Sequence, residues 1–135
     1  MKFKLQGICM INDKWAVRDN EIELIRALLN HAFPGDDAFS IQVDQMEMML
    51  SFNHDDTILK IGFGSSYQQF RNQVIRPKLS GSIEASGIDS DGGVVNVILW
   101  ITDGEIKELE FLRPDSKPVQ RQPRAGDLTD FQRAI

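Results

Sequence analysis

The sequence predicts an α+β domain in which an antiparallel sheet of about five to six strands is packed by an N-terminal amphipathic helix. Three patterns lead there. Apolar residues recur at helical spacing over 20–32, a period-two repeat with a polar break runs over 46–63, and three apolar runs in the last third are separated by Asp-Gly turns. A chain of 135 residues is near the commonest size for one domain and buries about two-thirds of its unfolded surface, enough for one core.

Phe3, Leu5 and Ile8 to Ile11 suggest a short first strand, with an imperfect repeat. The helix follows, because Ile22, Ile25, Leu28, Leu29 and Ala32 share one face while Glu23, Arg26 and Asn30 lie on the other. Asn20 followed by Glu23 reads as a capping-box start, and Pro34-Gly35 ends the helix. Ile41 and Val43 then alternate with polar neighbours, and Met46, Met48, Leu50 and Phe52 continue with period two. That reads as one bent strand or two meeting at a bulge near Asp44-Gln45. Asn53-His54-Asp55-Asp56 is turn-like, and Ile58, Leu59, Ile61 and Phe63 return as the second arm of a hairpin.

Residues 65–78 fit neither period well, although Tyr67, Phe70 and Val74 could line a short helix before Pro77. The last third predicts a β-meander with strands near 81–89, 94–101 and 105–112, its turns being Ser90-Asp91-Gly92-Gly93 and Thr102-Asp103-Gly104. Val94 to Ile101 is apolar except for Asn96, the pattern of a strand covered on both faces, with Trp100 in the core. Glu108 and Glu110 alternate with Leu109 and Phe111 in a strand with one wet face. Residues 1–112 therefore read as the domain. Residues 113–135, with Pro114, Pro118 and Pro123 among Gln, Arg and Lys, read as an extended arm or frayed tail that does not pair regularly.

Composition narrows the functional classes. The net charge of −5 is uneven, since residues 1–112 hold 10 Lys and Arg against 17 Asp and Glu, while residues 113–135 hold 5 against 3. An acidic body repels phosphate backbones, so nucleic acid is disfavoured and a basic protein is the electrostatically easier partner. The same charge also serves solubility. Cys9 is the only cysteine, which precludes an intrachain disulfide and reads as a small packed hydrophobe. The N-terminus is punctuated by Lys2, Lys4 and Gln6, unlike a signal peptide, and no run approaches the ~18 apolar residues of a membrane span. The expected location is the cytoplasm, with no membrane partner.

Each chemical motif has a structural explanation that fits better. His31 and His54 stand 23 residues apart with no ligand spacing, so neither a metal nor a cofactor is indicated, and His31 complements the dipole at the helix end. Asp89-Ser90-Asp91-Gly92 resembles part of a calcium loop, but in that register Gly87 and Ile98 stand where Asp and a bidentate Glu are needed. Gly62-Phe63-Gly64-Ser65-Ser66 lacks the third glycine of a dinucleotide loop and the lysine of a P-loop. Met46, Met48 and Met49 suit either core filling or an adaptable surface. No catalytic constellation can be assembled by spacing, and the acidic residues fall in turns or on a wet face.

The chain resembles a family of small uncharacterised bacterial α+β domains of unknown function with an acidic Asp-Gly meander. The residues that carry the resemblance are Glu23-Leu24-Ile25-Arg26-Ala27-Leu28-Leu29, Asp91-Gly92-Gly93-Val94-Val95 with Val97 and Leu99, and Asp103-Gly104-Glu105-Ile106 followed by Glu108-Leu109-Glu110. It covers roughly 18–123 and implies no catalytic residue.

The expectation for function is a non-enzymatic protein-binding module, one version being an immunity-type protein that plugs a basic toxin through Asp103, Glu105, Glu108 and Glu110. The alternative is a small-molecule-binding or enzymatic domain with a site assembled only in the fold, from His54, Asp55, Asp56, Gly62, Gly64 and Ser65. Self-association through a strand edge or the tail is a third possibility.

Overall fold

The computed structural model describes residues 13–135, so the strand expected over Phe3 to Ile11 and the packing expected of Cys9 lie outside the described residues. The order is β1 (Lys14–Ala16), α1 (Asp19–Ala32), α2 (Asp37–Asp44), β2 (Met46–Ser51), β3 (Ile58–Phe63), a 3-10 turn (Ser65–Gln69) and α3 (Arg71–Val74). Then come β4 (Gly81–Ile88), β5 (Val94–Thr102), β6 (Glu105–Leu112), a second 3-10 turn (Ala125–Asp127) and β7 (Thr129–Ala134). The described residues form an α+β fold around one antiparallel sheet, in the order β1-β2-β3-β6-β5-β4-β7. It has seven strands where five to six were expected.

The expected helix is α1, and its buried residues Leu24, Ile25, Leu28, Leu29 and Ala32 are those of the apolar repeat. Its start differs by two residues: Glu21, not Glu23, reaches back to accept from the Arg18 amide at 2.9 Å. Glu21 also accepts from the Trp15 indole and, at 2.8 Å, from the Gln122 amide, so the helix start is tied to β1 and to the C-terminal segment.

Ile41 and Val43 do not belong to a strand; they lie in α2. Asp36 caps that helix by accepting from the Phe39 amide at 3.0 Å, and Phe39, Gln42 and Val43 turn inward at helical spacing while Ile41 is exposed. Three local signals, the Gly35 turn, the Asp36 cap and the i, i+3, i+4 burial, outweigh a two-residue alternation. Buried Gln42 then holds the β5–β6 turn, donating to the Gly104 carbonyl at 2.8 Å and accepting from the Ile106 amide at 2.9 Å.

The hairpin β2–β3 and the meander β4–β5–β6 pair as the sequence predicts. Both residues of the second meander turn, Asp103 and Gly104, have positive φ, the geometry that suits a two-residue hairpin. Residues 65–74 yield only short helical pieces, with Tyr67 and Val74 buried.

The core lies on one face of the sheet. Leu59, Ile61, Ile83, Ala85, Val95, Val97, Leu99, Leu109 and Phe111 point toward α1 and α2 and are buried with them. The segment after Leu112 completes that layer. Leu128 is buried in the core, Val119 and Ala125 pack against it, and a Cβ at Gly87 would collide with Pro123. Residues 129–134 then pair with β4. The expected frayed arm is therefore knitted into the domain, because its prolines all precede residue 124 and leave the last residues able to join a ladder.

Candidate functional site

With the helices and the C-terminal segment all on one face, the opposite face of the sheet has no helix over it among the described residues. Two register rows cross its middle. One runs Ser82, Trp100, Glu108, Lys60; the other runs Glu84, Ile98, Glu110, Ile58. The expectation that β5 is covered on both faces is corrected here: Trp100 is 40% exposed, because coverage depends on where the connections run and not on how apolar the strand is. Ile98, on the same face, is 8% exposed.

Carboxylates dominate the middle of this face. No ion pair among the described residues engages Glu84, Glu108 or Glu110. Lys60 stands opposite Glu108 in register, yet its ammonium lies 5.6 Å from the Phe52 ring centre. The Trp100 indole N–H donates to Glu110 Oε1 at 2.9 Å, which fixes the ring beside the acidic row. Exposed Ile88, Val94 and Leu112 add an apolar margin where β4, β5 and β6 meet the Asp89–Gly93 turn.

Of the four acidic residues proposed as one patch, the fold keeps Glu108 and Glu110 together and separates the others. Asp103 sits exposed at the β5–β6 turn tip. Glu105 is a correction: it is 3% exposed and accepts from Tyr67 Oη at 2.7 Å, Arg71 Nε at 2.7 Å and Lys107 Nζ at 2.6 Å. A register shift in β6, where Trp100 faces Glu108 but Ile101 faces Ile106, breaks the strand's alternation. Burial works to raise the Glu105 pKa, and the bonds from Arg71, Lys107 and Tyr67 outweigh it and hold it below the usual range. Burial, then Glu105, pushes the Tyr67 phenol well above its ordinary value. The cluster is structural, joining residues 67–71 to the start of β6.

The alternative pocket does not assemble. His54, Asp55 and Asp56 sit in the β2–β3 turn, whereas Gly62, Gly64 and Ser65 lie at the other end of β3, roughly 17–20 Å along the strand. Asp55 and Asp56 instead line a cleft of about 440 Å³ with Trp15, Arg18 and Gln120. Gly62 packs against Met48, its register partner in the sheet.

The oxygens of Asp89 and Asp91 are engaged by Arg113, a residue the sequence reading passed over. Arg113 Nη1 donates to Asp89 Oδ2 at 3.1 Å and to Asp91 Oδ1 at 2.8 Å, and its Nε and Nη2 fork onto Asp115 at 3.0 and 2.6 Å. Asp89 further accepts from the amides of Ser90, Gln120 and Arg121, so this buried carboxylate pins the C-terminal segment to the β4–β5 turn. The signal available in the sequence was an arginine just after a strand whose partner turn carries two aspartates.

These carboxylates make acid sensitivity predictable. Burial alone would raise the Asp89 pKa, but its three amides and Arg113 win and lower it; the Gly93 amide and Arg113 lower Asp91; and Arg113 holds Asp115 at about 2. A carboxylate whose folded pKa lies below its unfolded value stabilises the fold above the unfolded pKa, and that contribution disappears as pH falls through the folded one. Stability should therefore decline from about pH 5 toward pH 2. Thermal midpoints across that range should fall more steeply for the wild type than for Arg113→Met, and parallel curves would refute the role given to Arg113.

The geometry defines a class first: a one-sheet α+β domain with its helices and C-terminal segment on one face and an acidic, partly apolar opposite face. The chain belongs to the family Domain of unknown function (DUF6984), whose model matches residues 14–123, from the start of β1 to the residue whose carbonyl accepts from Asn20. No curated protein and no solved structure matches the chain. Strand β7 falls outside the matched stretch.

Among the described residues, no helix is long and apolar enough to cross a membrane.

Proposed function

We propose that the chain is a non-enzymatic protein-binding module that presents the open face of its sheet to a basic protein. The observation that carries this reading is the combination, on the face that no described helix covers, of Glu84, Glu108 and Glu110, none in an ion pair among the described residues, with exposed Trp100. A monomer gains nothing by leaving a large aromatic and an apolar margin in water, whereas interface cores are enriched in such residues and acidic neighbours speed encounter with a basic surface. An immunity-type inhibitor of a basic toxin is the narrower form of the same reading.

The test is affinity capture with the wild-type chain and with Glu84→Gln/Glu108→Gln/Glu110→Gln in parallel, followed by elution with salt. The expected result is a basic protein retained by the wild type and lost from the variant, which keeps its fold because all three side chains are on the surface. Identical recovery from both would remove the reading.

A further inference from the structure

The arrangement at the centre of the open face is specific enough to name the chemistry of its main contact. Trp100 and Glu108 are register partners on adjacent strands, a relation that sets their Cβ atoms about 4.5–5.5 Å apart. Glu110 follows Glu108 by two residues, about 7 Å along the strand on the same face, and it accepts the indole N–H. The ring is thus positioned before any partner arrives. One aromatic surface and two carboxylates thus flank one space on the face. Among the described residues, the cation opposite Glu108 in register is Lys60, whose ammonium lies 5.6 Å from the Phe52 ring centre and makes no ion pair.

We infer that this space takes a single arginine side chain from the partner protein, an inference that rests on the binding role proposed above. Arginine fits better than lysine for a geometric reason. Its planar guanidinium can stack on an indole while its N–H fork engages a carboxylate, whereas an ammonium is a compact, strongly hydrated point charge. A phosphate or any other anion is repelled by Glu84, Glu108 and Glu110. Along β5, Val94 and its register partner Ile88 lie six residues from Trp100, about 20 Å away, and Leu112 faces Asn96 between them. The partner therefore presents apolar side chains on one side of its arginine, over that margin.

The full ¹⁵N-labelled chain, titrated with a capped peptide Leu-Ala-Gly-Ala-Gly-Arg and with its lysine and citrulline counterparts, tests this directly. The reporter is the Trp100 indole N–H cross-peak, assigned by its loss in Trp100→Phe. The expected result is a saturable shift with the arginine peptide, weaker binding with lysine, no shift with citrulline, and about tenfold weaker binding to Glu108→Gln/Glu110→Gln, the loss of a charge-assisted contact. An unshifted indole at several millimolar peptide, or equal response to citrulline, overturns the arginine site. The binding role fails separately: a captured partner that shifts the amides of Ile88, Val94 and Leu112 but not the Trp100 indole keeps the face and discards the arginine, while a partner that shifts none of them discards both.

Discussion

Replacing Arg113 by methionine should lower the unfolding free energy by about 3–5 kcal/mol, the usual cost of leaving a buried charge without its partner. Methionine retains the apolar stem of the arginine, so the loss is not one of packing. What changes is that Asp89, fully buried beneath the C-terminal segment, keeps its amide donors but loses its counter-charge, while Asp91 and Asp115 are left to repel one another. Urea unfolding should show the shift as a lower midpoint. Lysine should recover only part of it, because one ammonium cannot span three carboxylates. Adding Asp89→Asn to Arg113→Met should cost less than the two single losses combined, since the unpaired charge is then gone. A drop below about 1 kcal/mol for Arg113→Met would show that the cluster is not the clamp described.

Gly104→Ala should cost about 3 kcal/mol, for two reasons acting together. Gly104 has φ +76°, where a side chain adds about 1–2 kcal/mol of strain. Its Cβ would also enter the backbone of Arg76, which cannot move aside like a flexible side chain. The site is held from three directions: the Gly104 amide donates to the Leu79 carbonyl at 2.6 Å, its carbonyl accepts from Gln42, and the Asp103 backbone amide donates to Ser80 Oγ at 2.8 Å. The same alanine at Gly92, also in a turn at positive φ but in open space, should cost distinctly less. Equal losses at the two positions, measured by urea midpoint, would mean that the close approach of Arg76 carries no weight.

Both predictions concern contacts between segments far apart in the chain, and such contacts were the least legible part of the sequence. The aspartates 89 and 91 were recognisable as a turn, yet the place of Arg113 just after a strand was the one hint that it closes on them. Glu105 looked like one more surface carboxylate, because the register shift in β6 and the arrival of Tyr67 and Arg71 over it are properties of the folded chain. Ile41 and Val43 were misread for a related reason. Two alternating residues fit a strand or a helix equally well, and the deciding features were the Asp36 cap and the burial of Phe39, Gln42 and Val43 together.

Local pattern by itself determined α1, the β2–β3 hairpin and the β4–β6 meander, because helical spacing, alternation and Asp-Gly turns act over a few residues. It also determined that the folded body is acidic. Only the tertiary structure decided that α1, α2 and residues 119–128 cover the same face, that β7 extends the sheet beside β4, and that Trp100 is exposed next to Glu108 and Glu110. The physical reason is that an apolar strand satisfies its burial from whichever side the connections happen to cross. Alternation tells which residues share a face, and only long-range packing chooses the face that stays in water.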